Sequence, residues 1–141
     1  MDDIRTITQK ILDGVLLPDG IMSHHLRRIE VDEIKYANKK IAINKDEYVV
    51  YRVVSSRNRS YGDGAAKLQQ IYIDINYYYA YDKNDKRFKS AVKRIKTIQS
   101  TFLADPRFRL ANGQSDIYDF DNPYRGINIE FLFIGVCNNA G

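Results

Sequence analysis

Tyr48-Val49-Val50-Tyr51-Arg52-Val53-Val54 and Ile71-Tyr72-Ile73-Asp74-Ile75-Asn76-Tyr77-Tyr78-Tyr79-Ala80-Tyr81 flank a polar, basic, glycine-containing connection. Branched and aromatic residues dominate both runs, and such side chains suit a pleated surface. Residues 48–81 therefore read as one long β-hairpin. At about 3.3 Å per residue the return strand spans roughly 36 Å, about twice a typical strand. A strand of that length overreaches the core of a small domain, and an overlong edge is usually paired, covered or charged. A neighbouring subunit is the cover this reading expects.

On the N-terminal side of the hairpin, residues 2–12 place Ile4, Ile7, Ile11 and Leu12 on one helical stripe, with Asp2 or Asp3 as cap and Gly14 as stop. Pro18-Asp19-Gly20 is a turn. Residues 21–44 mix short apolar alternations with charge and read as loop with one or two short strands. Beyond the hairpin, Asp82 or Asn84 caps a second helix through about Ala104, with Phe88, Ala91, Val92, Ile95, Ile98 and Phe102 as its apolar stripe. Pro106 stops it. Asn112-Gly113, between Phe108-Arg109-Leu110 and Ile117-Tyr118, predicts a second, short hairpin because both turn positions tolerate positive φ. A polar turn at residues 119–123 then leads into residues 127–136, where Ile127, Ile129, Phe131 and Phe133 alternate with Asn128, Glu130, Leu132 and Ile134. The tail 138–141 is small and polar, and fraying is expected of it.

Helix, strands, helix, strands is the order of an α+β domain. The expected architecture is a largely antiparallel sheet of four to five strands, two main helices packed on one face, a semi-polar second face and a long protruding β-hairpin. With 141 residues, the chain is a single domain spanning 1–141.

The single cysteine, Cys137, rules out an internal disulfide framework and fits a reducing compartment. No run reaches the length of a membrane helix, and Asp2 and Asp3 stand where a secretory signal carries positive charge, so a cytoplasmic origin is expected. The net charge of +4 is concentrated: residues 83–96 hold seven Lys or Arg against one Asp. Lys86, Lys89, Lys93 and Lys96 then form a basic outward face of the second helix. Such a face permits nucleic-acid contact without demanding it.

Catalytic candidates are thin. Pro18-Asp19 followed by Glu33-Ile34-Lys35 has the residue order of a two-carboxylate, one-lysine nuclease, but a turn followed by a solvated strand explains it as well. His24-His25 would point to opposite sides of a strand, and no third imidazole or thiol pair completes a zinc site. Cys137 closes an apolar strand without an adjacent base. Gly62-Asp63-Gly64 lacks the lysine and helix of a phosphate loop and reads as a hairpin tip. Tyr77, Tyr78, Tyr79 and Tyr81 have the chemistry to stack on bases, yet aromatic strand residues more often serve cores and interfaces.

The N-terminal helix, the strand Tyr48-Val49-Val50-Tyr51-Arg52-Val53, the polar loop 55–67, the strand Ile71-Tyr72-Ile73-Asp74-Ile75, the helix 88–103 and the ending 117–131 succeed one another in a particular order. In that order and patterning, over most of its length, the chain resembles the tail terminator or tail completion proteins of long-tailed bacteriophages, also called tail-to-head joining proteins. The resemblance implies a structural protein without catalytic residues, metal or cofactor. Its copies would form a ring, typically a hexamer, that caps the tail tube, stops its polymerisation and presents a surface to the head connector. The expected place is the tail–head junction of a virion assembled in a bacterial cytoplasm. A head-completion or stopper adaptor of the neck, and a basic nucleic-acid-binding α+β domain, are the rival expectations. Six copies would carry about +24, suited to an acidic neighbouring ring or passing DNA. A head-to-tail ring needs two different patches per subunit. The first expected patch is the hairpin, with Arg52, Arg57, Arg59, Tyr61 and Lys67, and Tyr77, Tyr79 and Tyr81 at its far end, set against an adjacent subunit or the tube. The second is the face of Lys86, Lys89, Lys93 and Lys96.

Overall fold

A computed structural model describes residues 3–55, 67–117 and 123–137. Helix α1 runs Ile4–Leu16, capped by Asp3, whose carboxylate accepts the Thr6 N–H at 2.9 Å. Gly14 does not stop it. One helical glycine costs about 1 kcal/mol, and Val15 and Leu16 beyond it gain more by packing on the core. The stop is a short 3-10 turn, Leu17–Asp19, followed by Gly20 at φ 74°. A Cβ on Gly20 would lie 2.7 Å from the Ala42 carbonyl oxygen, so both the backbone and its neighbour require glycine there.

Three strands follow before the long hairpin, where the sequence suggests one or two: β1 Met22–His25, β2 Glu33–Tyr36 and β3 Lys39–Ala42. Among the described residues the latter two pair only with each other. The hairpin strands are β4 Glu47–Ser55 and β5 Lys67–Ala80, in antiparallel register from Glu47↔Tyr79 to Ser55↔Ile71. After helix α2, Lys86–Leu103, come β6 Phe108–Ile117 and β7 Tyr124–Cys137. The sheet order is β1-β4-β5-β7-β6, with β1 parallel to β4 and every other pair antiparallel.

This order corrects the expectation of an uncovered return strand. β5 is central, and β7 pairs with all of it, from Lys67↔Cys137 to Ala80↔Tyr124. The cover is therefore a strand of the same chain, as long as β5 itself. Among the described residues, four pairs, Lys67↔Cys137 to Gln70↔Ile134, follow the last ladder partners of β4 and β6 and form the far end of the β5–β7 ribbon.

The expected turn at Asn112-Gly113 is also absent. β6 runs straight through those residues, skipping register between Leu110 and Asn112 and again between Asn112 and Ser115. Gly113 has no positive φ. Pairing with β7 from Phe108↔Phe133 to Ile117↔Gly126 satisfies far more backbone groups than a two-residue turn would, and bulges are a usual device on an edge strand.

Asp82 rather than Asn84 caps α2: its carboxylate oxygens accept the N–H groups of Asn84, Lys86 and Arg87 at 3.0 to 3.1 Å. Ala91, Ile95, Ile98 and Phe102 of α2 bury against the sheet. Phe102 stacks on Phe131 at 4.4 Å and meets the Phe108 edge at 5.1 Å. Full burial of one such ring contributes about 1.5–3 kcal/mol. Both helices cover the same side of the sheet, on which Val49, Tyr51, Ile73, Ile75, Tyr77 and Ile129 are buried. The other side carries cross-strand rows Tyr48–Tyr78–Gly126, Val50–Asn76–Asn128, Arg52–Asp74–Glu130 and Val54–Tyr72–Leu132. The fold is thus α+β with one covered and one semi-polar face. Among the described residues no helix is long and apolar enough to cross a membrane.

Candidate interaction surfaces

Strand alternation decides the fate of the tyrosines in β5. Tyr77 and Tyr79 point under the helices and are buried, which corrects their assignment to an accessible interface. Tyr77 donates its hydroxyl to Glu47 at 2.9 Å, and Arg94 of α2 reaches the same carboxylate oxygen at 3.1 Å. Asn44 donates to the other Glu47 oxygen at 3.1 Å, and the Arg94 Nε lies 3.3 Å from Asp19. Burial first, and the Glu47 charge second, push the Tyr77 phenol far above its ordinary pKa. This network joins the turn after α1, β4, β5 and α2. Its members are spread from Asp19 to Arg94, which is why no local sequence pattern announces it.

Tyr78 has the opposite orientation. It stacks on Tyr48 at 5.0 Å on the helix-free face, and Tyr124 meets Tyr48 edge-on at 5.4 Å. Arg28 lies over the Tyr48 ring at 4.1 Å and donates to the Lys45 carbonyl at 2.7 Å and to the Tyr124 hydroxyl at 3.3 Å. The segment between β1 and β4 is thereby drawn onto one end of that face. His24 is buried beneath it, 7% exposed, accepting the Ile29 N–H on Nδ1 at 3.4 Å. Its partner in the motif, His25, instead meets the Tyr51 ring at 5.3 Å, so the two imidazoles are parted as strand alternation requires.

Arg52 remains exposed on the helix-free face, paired with Asp74 at 3.1 Å. Lys67 begins β5, opposite Cys137. Arg57, Arg59, Tyr61 and the Gly62-Asp63-Gly64 tip lie outside the described residues. Tyr81 is 55% exposed, with the Arg125 guanidinium 4.9 Å from its ring centroid. Beside it opens a cleft of about 320 Å³, lined by Tyr79, Tyr81, Asp82, Phe88, Asp116 and Arg125. Phe88 belongs to this wall more than to the apolar stripe, being over a third exposed. Tyrosine, phenylalanine and arginine are among the residue types enriched at protein contact surfaces.

Lys86, Lys89, Lys93 and Lys96 are all exposed. The carboxylates of the nuclease-like order are not joined: Asp19 pairs with Arg94, while Glu33 is exposed on the separate β2–β3 ribbon. Among the described residues no three His, Cys, Asp or Glu side chains gather as a metal-holding group. No protein-family model and no curated protein matches this chain.

Proposed function

We propose that this chain is a structural subunit of a bacteriophage tail, a terminator or tail-to-head joining protein. Its copies close into a ring, in the simplest case a hexamer, on the end of the tail tube. The ring stops tube growth and offers its other side to the head connector. The feature that supports this reading most is the β5–β7 ribbon, fourteen pairs long, whose four far pairs follow the last ladder partners of β4 and β6 among the described residues. A ribbon of that kind is a lever for contacting a neighbour, and its arginine-bearing connection is the natural continuation of the contact. The Tyr81–Phe88–Arg125 cleft, at the other end of β5, supplies a second and different patch, as a head-to-tail ring requires.

Electron microscopy of tails assembled without this chain tests the reading. Overlong tubes are expected of a missing terminator. Tails of normal length that fail to attach to heads assign the chain to the joining or stopper role instead. Normal, attached tails overturn the proposal. Within it, Arg57→Glu with Arg59→Glu is expected to abolish capping while the monomer stays folded, and normal capping by that variant removes the connection from the interface.

A further inference from the structure

Helix α2 contains six basic residues and no acidic one, and the structure divides the six into two sets. Arg87 pairs with Asp46 and Asp82, and Arg94 pairs with Asp19 and Glu47. None of the ion pairs of the described residues involves Lys86, Lys89, Lys93 or Lys96. At about 100° per residue the four lysines fall within roughly 80° of arc, centred about 170° from the buried stripe of Ala91, Ile95, Ile98 and Phe102. They form a straight row on the solvent side of the helix, about 15 Å from Lys86 to Lys96 at 1.5 Å per residue.

This row works against the helix that carries it. Successive lysines stand three or four positions apart, where like charges repel. Lys86 and Lys89 also sit in the first turns, where the helix dipole favours acidic side chains and the first turn has none. The Asp82 carboxylate on the Lys86 and Arg87 N–H groups answers the dipole at the helix start, but among the described residues no carboxylate pairs with the lysines to offset their mutual repulsion. A solvated face would be served as well by mixed charge, so the row is suited to an anion supplied from outside.

We infer that the lysine row of α2 binds the phosphate backbone of duplex DNA without reading its sequence. Lysine is a mobile point charge, adequate for phosphates met at any register, whereas a fixed carboxylate partner is better held by the arginine fork. The two arginines of α2 have that second role, inside the chain. Single strands are the poorer fit, because they are bound through stacked bases and this helix face presents no aromatic ring. The row is complete on one chain and lies on a different surface from the β5–β7 ribbon, so it stands or falls independently of ring formation.

The test is fluorescence anisotropy with a labelled duplex of about 20 base pairs, comparing the wild type with K89Q/K93Q/K96Q and with K35Q/K39Q/K40Q. The two triple variants lose the same charge, the second from exposed lysines of the β2–β3 ribbon. With four phosphate contacts the wild-type affinity falls about 150-fold between about 50 and 200 mM salt, and with one contact only about 3- to 4-fold. The inference expects the shallow dependence and weak binding from the α2 triple alone, with a melting temperature equal to or above wild type. Equal losses from both triples would reduce the effect to net charge and overturn it. So would a large drop in melting temperature for the α2 triple, or wild-type binding to polyglutamate and not to the duplex, which would assign the row to an acidic protein.

Discussion

The Arg94 guanidinium lies 3.1 Å from the Glu47 carboxylate, bridging α2 to the first strand of the hairpin beneath the sheet's covered face. The Glu47 side chain is only 6% exposed, so its charge is held by Arg94, Tyr77 and Asn44 rather than by water. Removing one partner of such a pair leaves the other charge buried and alone, whereas replacing both with apolar groups of similar size is often tolerated. Arg94→Met is therefore expected to cost about 3 kcal/mol, the lower end for buried pairs because Arg94 itself stays partly exposed. Glu47→Leu with Arg94→Met should recover most of that loss. Urea unfolding of the two single variants and the double measures the coupling; strict additivity would mean that the pair is worth nothing.

Gly126 sits between Tyr78 and Ile117 on the helix-free face. A Cβ there would stand 3.0 Å from the Ile117 Cβ and 3.2 Å from the Tyr78 Cδ1. Gly126→Ala is thus an overpacking change, expected to destabilise by about 1–3 kcal/mol. Gly113, in the bulged part of β6, has nothing within 4 Å and no positive φ. Gly113→Ala should stabilise by about 0.5 kcal/mol through the lost freedom of the unfolded chain. Thermal melts of the two variants check the contrast, and loss of stability at Gly113 would point to a turn there after all.

Both helices, the hairpin and the last strand are legible in the sequence because each carries a periodicity that burial enforces over many residues. Lys86, Lys89, Lys93 and Lys96 are legible for the same reason: a helix with one apolar stripe must turn its other side to water. What the sequence hides is partnership. Nothing local says that β7 rather than a second chain lies along β5, since residues 71–79 and 127–133 alternate in the same manner whether they sit at an edge or in the middle of a sheet. Asn112-Gly113 misleads because a turn signal is weaker than the pairing of β6 with β7, from Phe108 to Ile117, that competes with it. In the tyrosine run, composition suggests an exposed aromatic cluster, while the pleat sends Tyr77 and Tyr79 inward and Tyr78 outward. The contribution of Arg28 escapes sequence reading because its partners, Tyr48 and Tyr124, are brought together only by the sheet order.

His24 provides a pH dependence of definite sign. Burial first, and the neighbouring Arg28 charge second, hold its pKa below the ordinary 6.5. Arg28, Glu30, Lys45 and Glu47 are the charged groups that line the same pocket. Below 6.5 the unfolded chain takes up a proton that the folded chain resists, so the unfolded state binds more protons and stability rises with pH in that window. The contribution is whole above 6.5 and is lost as pH falls through the folded-state value. Protonation of Nδ1 would also set two donors against each other at the Ile29 N–H. Melting temperatures between about pH 5 and 7.5 should fall toward acid, and His24→Gln should flatten the profile. An NMR titration of His24 with a midpoint at or above 6.5 would defeat this account.

Arg28 should govern how firmly the segment between β1 and β4 is held. Its guanidinium stacks on Tyr48 and also donates to the Lys45 carbonyl and the Tyr124 hydroxyl, a combination of planar stacking and forked donation that lysine cannot reproduce. Arg28→Lys keeps the charge and is still expected to cost about 1 kcal/mol, by the stacking and the lost bonds together. The loss should be local, because among the described residues β2 and β3 pair only with each other and have no ladder to the main sheet. Amide exchange is the discriminating measurement: protection should drop across 33–42, while β4, β5 and β7 keep theirs. A uniform drop across the whole sheet would instead make Arg28 part of the global core, and an unchanged ribbon would show that the β2–β3 pair is held by other contacts.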